Sequence, residues 1–348
     1  MFLPRMTGRG RLRRSLRIPA APAAVLAICA LAMAGCSSNA ASSSTGATST
    51  ASADDAAGYS LNVGYIGEDG LLTGPEGFAY STGVLQQWLK ADGITSIHLA
   101  EFANGPLLTA AIVGGSVDIG IVGDTPGLIA ESHGVPVKII NQGEIGLAAW
   151  IVAKKGGPTS LAQLAGGTVG RPQGSYMDRY LQGLLAQDGL TSKVHLTAML
   201  PPEALAAVES GSLDAIALPA WEVAPAIAKG AVVLAKSEST PDLQGTEVTL
   251  ATDKILSAHP NVAQLWDSVR LKAVAYANAN ANAFYAYEAK SEGTGSVAAA
   301  KEFLPLSDFP AANYTTAGLT TLQGTLNFLV SEKEATAFSL DGWKAAGT

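Results

Sequence analysis

The chain repeats itself at an offset of 96 residues, and no other feature constrains its fold as strongly. Leu85-Gln86 recurs as Leu181-Gln182, and Asp92-Gly93-Ile94-Thr95-Ser96 recurs as Asp188-Gly189-Leu190-Thr191-Ser192. Pro106, Ala110-Ala111, Gly115-Ser116 and Asp118 return as Pro202, Ala206-Ala207, Gly211-Ser212 and Asp214. Across the 58 ungapped positions 80–137, 17 residues are identical to their partners. That is roughly three times the yield of an Ala/Gly-rich composition matched at random.

The two copies also share one pattern of elements. In the first, Leu61 to Tyr65 reads as a buried strand and Tyr80 to Ala91 as a helix stopped by Asp92-Gly93. A strand at Ile97–Phe102, a helix at Leu107–Val113 and a strand at Val117–Val122 follow. The second copy runs Thr168–Gly170, Tyr176–Gln187, Val194–Met199, Glu203–Glu209 and Leu213–Leu218. Strands alternating with helices predict parallel-core α/β sheets, and two copies predict two similar lobes. Ligands of such sheets lie at the carboxyl ends of strands, so the expected site is the cleft between the lobes. The expected division is 59–149 for lobe 1, 150–246 for lobe 2, and 247–348 for a return to lobe 1. The return carries helices over 261–289 and 319–333.

Charge divides the chain differently. Residues 1–35 carry six arginines and no acid, whereas the whole chain has 22 basic against 29 acidic side chains. A net charge of −7 argues against a nucleic-acid binder. Behind the arginines, Ile18 to Ala34 is apolar but interrupted by Pro19 and Pro22, short for a membrane span and suited to an export signal. It ends Ala32-Met33-Ala34-Gly35-Cys36, which resembles a lipobox: 1–35 would be removed and Cys36 lipidated. Cys29 would leave with the signal, so no intramolecular disulfide is expected. Residues 36–58 read as a flexible Ser/Ala/Thr-rich linker, spanning on the order of 25 Å. The body is thus expected outside the cytoplasm, tethered to a membrane.

Candidate ligand residues sit at the ends of predicted strands. Asn104-Gly105-Pro106-Leu107 opens a helix, as does Asp124-Thr125, and Gly174-Ser175-Tyr176 begins the long helix of the second copy. Ser175 and Asp178 have capping-box spacing. Free N–H groups at such helix starts suit an anion, although ordinary turns look the same. Trp221 stands where the first copy has Thr125, placing an apolar wall at the cleft rim. Enzymatic signatures do not emerge. There is no G-x-S-x-G, P-loop or H-E-x-x-H, and His98, His133, His195 and His259 lack the spacing of zinc ligands. Neither a cofactor nor a metal is expected, and carboxylates are plentiful without forming an evident pair.

Glu101-Phe102-Ala103-Asn104-Gly105-Pro106, Gly115-Ser116-Val117-Asp118-Ile119-Gly120 and Val122-Gly123-Asp124-Thr125-Pro126 together resemble one known family. It is the sulfonate, taurine and nitrate branch of ABC-transporter substrate-binding proteins. Gly174-Ser175, Leu200-Pro201-Pro202, Gly211-Ser212-Leu213-Asp214-Ala215 and Trp221 continue the likeness in order, and His259-Pro260 opens the C-terminal helices. The resemblance implies a bilobal periplasmic-binding-protein-like fold of type II, binding rather than catalysis, and delivery to a permease and ATPase complex by a monomer. It implies a small organic anion as ligand, an aliphatic sulfonate ahead of taurine, nitrate or a thiamine-pyrimidine precursor. A membrane-tethered sensor of the same fold is the rival reading. Two departures fall at the pocket: Ile66 followed by a long loop over 67–77, and Glu222-Val223 after Trp221 where the family commonly has Asp-Pro.

Overall fold

The computed structural model describes residues 58–67 and 70–348, the side chain of Pro202 excepted. The expected export signal, the lipidation at Cys36 and nearly all of the linker lie outside these residues. The first stretch runs β1 (Tyr59–Ile66), α1 (Gly74–Ser81), α2 (Val84–Ala91), β2 (Ile94–Phe102), α3 (Gly105–Val113), β3 (Ile119–Gly123), α4 (Asp124–Ser132) and β4 (Val137–Leu147). Then come β5 (Ala149–Ala153), β6 (Thr168–Arg171), α5 (Tyr176–Gln187), β7 (His195–Ala198), α6 (Pro201–Ser210), β8 (Ala215–Pro219), α7 (Val223–Ala228) and β9 (Val232–Lys236). The chain closes with β10 (Gly245–Thr252), α8 (Asp253–Ala258), α9 (Val262–Ala279), α10 (Ala281–Ser291), α11 (Val297–Phe303), α12 (Thr316–Ser331) and α13 (Leu340–Trp343).

Two five-stranded sheets result, ordered β2-β1-β3-β10-β4 and β7-β6-β8-β5-β9. The orders correspond position by position. In each, three strands of one repeat copy pair in parallel, and a strand entering from the other half lies antiparallel beside them. Those entering strands, β5 and β10, are how the chain crosses between lobes. Mixed α/β lobes are therefore what the repeat encodes.

The identities of the repeat explain themselves structurally. Asp118 accepts the Asn62 N–H at 2.9 Å, and Asp214 accepts the Thr168 N–H at 2.9 Å, so each pins the first strand of its copy to the turn before the third. Gly93 and Gly189 (φ 90° and 64°) and Gly115 and Gly211 (φ 74° and 80°) end helices in the left-handed region, where a Cβ is disfavoured. One expected helix proves to be a pair, and the run of helices expected over 261–289 resolves into two. The segment 80–91 divides at Thr82-Gly83, where Gly83 has φ 81°, and 261–289 divides at Asn280 between α9 and α10.

Alternation along strands fills two layers in each lobe. Leu61, Val63 and Tyr65 of β1 point to a core shared with Leu85, Leu89, Trp266 and Val269, whereas Leu250 joins α3, α12 and Trp343 on the opposite face. In the second lobe Ile151 meets α5 on one face, while Trp150 and Val152 meet α6 on the other. Among the described residues, no helix is long and apolar enough to cross a membrane.

Candidate ligand cleft

At the strand ends the two lobes enclose a cavity of about 260 Å³. Lobe 1 contributes Tyr65, Ile66 and Asn104-Gly105 to its wall, and lobe 2 contributes Ser175-Tyr176 and Trp221. The loop after β1, puzzling from sequence, forms one side. Its Leu72 carbonyl accepts the Tyr287 hydroxyl at 2.5 Å, and the Thr73 side chain bonds Glu292, so α10 holds Leu72 and Thr73 over the cleft.

The sequence candidates divide between wall and support. Asn104, Gly105, Ser175, Tyr176 and Trp221 line the cavity; Pro106, Leu107, Asp124, Thr125 and Gly174 do not. Leu107 is exposed, and its N–H is donated to Asn104 Oδ1 at 2.9 Å as an N-cap bond. Asp124 is fully buried, accepting from Thr125 N–H (2.6 Å), Thr246 N–H (3.1 Å) and the Thr325 hydroxyl (2.8 Å). Its field reaches Arg179, whose guanidinium donates to the carbonyls of Asp242 and Gln244 at 2.7 and 2.6 Å. Asp124 and Thr125 thus tie lobe 1 to the segment that returns from lobe 2. Their place in the structure is at the crossover, outside the cavity lining.

Of the expected anion donors of the second lobe, the Gly174 N–H and the Ser175 hydroxyl are engaged within the protein. Asp178 accepts the Gly174 N–H at 2.9 Å and pairs with Arg171, while the Ser175 hydroxyl donates to the Pro172 carbonyl at 2.6 Å. Ser175 Oγ in turn accepts from the Asp178 N–H at 3.3 Å. The capping pair is real, but it closes on itself. Trp150, on the strand that enters lobe 2, donates its indole N–H to Glu238 at 3.0 Å beneath the Lys236 ammonium.

What the sequence did not single out is the acidity of the cleft. Glu144, Glu222, Glu247 and Glu292 all line it, and among the described residues no lysine, arginine or histidine does. Glu144 and Glu247 arise from a β-bulge: Thr246 pairs with Ile145 and Val248 with Gln142, so Gly143 and Glu144 together oppose Glu247. A Cβ at Gly143 would overlap Glu247 Oε1, so any other residue there would make that carboxylate turn aside. Arg270, 1% exposed, lies behind the bulge and donates to the Gly143 carbonyl at 2.9 Å and to that of Pro310 at 3.1 Å. Burial raises Glu144, Glu247 and Glu292. Glu292 rises to about 7 and Glu247 to about 8, and Glu144 lies well above the ordinary carboxylate range because Glu247 and Glu292 add repulsion to desolvation. A lone acid inside an apolar strand run, as in Val137–Leu147 and Gly245–Thr252, was the available signal.

Comparison with known proteins gives this geometry its context. A protein of Escherichia coli (strain K12), named as a candidate aliphatic sulfonates-binding protein, is 28% identical over 175 residues, covering 48% of this chain and 51% of its own length. The chain spans about half the length of such curated relatives. Among solved structures, the periplasmic aliphatic sulphonate binding protein SsuA of Escherichia coli superposes with a TM-score of 0.65 at 21% identity, covering 82% of this chain and 97% of that one. The desulfurization enzyme DszB superposes with a TM-score of 0.61 at 16% identity, covering 82% and 97%. A binding protein and an enzyme thus share the periplasmic-binding-protein fold seen here. The sequence profile described as NMT1/THI5 like matches residues 83–283, more than half of the chain, and the protein belongs to that family.

Proposed function

We propose that this protein is the extracytoplasmic solute-binding component of an ABC importer, held at the membrane by lipid on Cys36. In this role it captures a small organic solute between its lobes and presents it to a permease and ATPase complex. The observation that carries the reading is the interlobe cavity, walled by strand ends and helix starts of both sheets and large enough for a small organic molecule. Closure of two lobes over a solute is the expected working motion.

Binding is favoured over catalysis by composition. Both cysteines, Cys29 and Cys36, precede the folded body, so no thiol nucleophile is present from residue 58 onward. The names of relatives offer an aliphatic sulfonate as ligand. Against that class stand the four carboxylates of the cleft and the engaged state of the Gly174 and Ser175 donors.

Trp221 makes the reading testable. Intrinsic fluorescence should change on addition of a bound solute, and Trp221→Phe should remove most of that change. Catalytic turnover of a sulfonate or sulfinate by the purified chain would overturn the reading.

A further inference from the structure

Resting on the solute-binding reading, we propose that the cleft selects a small organic cation: a solute bearing at least one protonated amine on an apolar or aromatic body. Glu144 is 6% exposed, lines the cavity, and has neither hydrogen bond nor ion pair among the described residues. Tyr176 gives a second, independent indication. It is 7% exposed, its hydroxyl lacks a partner, and it lies in the field of Glu144, Glu292 and Glu222, all cavity residues. Unpartnered buried acceptors are costly, and a ligand that brings N–H donors removes that cost.

The positive charges nearest the cleft have partners of their own, although Arg270 still moderates Glu247. Arg270 is held by main-chain carbonyls behind the bulge, Arg179 by those of Asp242 and Gln244, and Arg171 by Asp178. An incoming sulfonate would therefore meet a wall of carboxyl groups and, among the described residues, no cationic side chain to pair with. An ammonium would meet Glu144 and Glu247 at the bulge, with Glu292 on the opposing loop. Tyr65, Tyr176 and Trp221 supply aromatic faces that suit both a cation and a flat apolar body. A bare metal ion fits less well, because no group of acidic, histidine or cysteine side chains among the described residues has a metal-holding arrangement.

The glycine at 143 supports the same conclusion. It is the residue that admits the Glu247 carboxylate, and Arg270 fixes its carbonyl, so the acid pair is built into the strand geometry.

The test is calorimetric titration of the purified full chain in phosphate buffer at pH 7.5 with three probes: phenethylamine, 1,4-diaminobutane and hexanesulfonate. Binding of either amine is expected, with Glu144→Gln weakening it by about 10- to 150-fold, the range for a charge-assisted hydrogen bond. The same variant should be at least as stable as the parent without ligand, which separates lost recognition from lost folding. Binding of hexanesulfonate with neither amine bound would overturn the cation proposal and leave solute binding standing. Amine binding unaffected by both Glu144→Gln and Glu247→Gln would also overturn it. Failure of all three probes to bind would overturn the cation proposal, and the absence of any Trp221 fluorescence response across a broad solute panel would separately overturn solute binding.

Discussion

Glu144 and Glu247 oppose one another across a β-bulge, on strands β4 and β10, at the cavity wall. The arrangement needs three further features of the same strands. Gly143 leaves space for one carboxylate, Arg270 holds the bulged carbonyl from behind, and the antiparallel entry of β10 brings Glu247 alongside. Bulges of this kind re-aim side chains next to sites, and here the side chains aimed are acids.

Ligand-free stability should fall as pH rises. Glu247 and Glu292 have folded-state values of about 8 and 7, and Glu144 is raised well above the ordinary carboxylate range, all above the unfolded value of 4.5. Groups raised in the folded state contribute fully below their unfolded value and lose that contribution as pH climbs through the folded one. Glu76, Glu288, Asp267 and Asp308 around the cleft act in the same direction, and Arg270 moderates Glu247, Glu76 and Asp267. Urea unfolding at pH 5.5 and 8.5 should show the larger free energy at the lower pH. The stability gap between Glu144→Gln and the parent should widen with pH by up to about 1.4 kcal/mol per unit. A flat comparison would count against buried, unpartnered acids.

Gly143→Ala should be destabilising by about 1 kcal/mol or less, since the added methyl overlaps only Glu247 Oε1, the mobile end of that side chain. Gly143→Ala combined with Glu247→Ala should recover part of that loss in chemical denaturation. An additive double variant would mean that the two positions do not crowd each other.

Asp124→Ala should unfold or destabilise the protein by about 3–5 kcal/mol. It leaves Arg179 without its buried carboxylate and deprives the Thr246 N–H and the Thr325 hydroxyl of an acceptor. Asp124→Asn, which keeps an acceptor, should cost less and leave ligand affinity within a few-fold of the parent. A large affinity loss in a stably folded Asp124→Asn would return that residue to the ligand site.

Trp221→Ala should weaken binding of phenethylamine more than that of 1,4-diaminobutane, because the indole covers body rather than charge. Equal losses measured by titration would argue that Trp221 only props the wall.

Much of the fold was legible because the repeat is structural. Asp118 and Asp214 make the same bond to the first strand of their copies, and paired glycines end the same helices in the same left-handed conformation. Such needs are local, so sequence records them. The site was legible in part: Asn104, Gly105, Ser175, Tyr176 and Trp221 do line the cavity. Sequence could not reveal that Ser175 and Gly174 donate inward, since that depends on where Pro172 and Asp178 lie once the helix start has formed. Nor could it pair Glu144 with Glu247. The two are far apart in the chain, and only the bulged register joins them.

Proton exchange on ligand binding tests the central claim most directly. An ammonium entering the cleft should drive Glu144, Glu247 and Glu292 toward their ionised forms, so protons should leave the protein. Titrating phenethylamine at pH 7 in two buffers that are neither sulfonates nor amines and differ in ionisation enthalpy, phosphate and cacodylate, measures that release. The account predicts net proton release on amine binding, reduced in Glu144→Gln. Binding of hexanesulfonate accompanied by proton uptake, with no heat from the amine in either buffer, would contradict it.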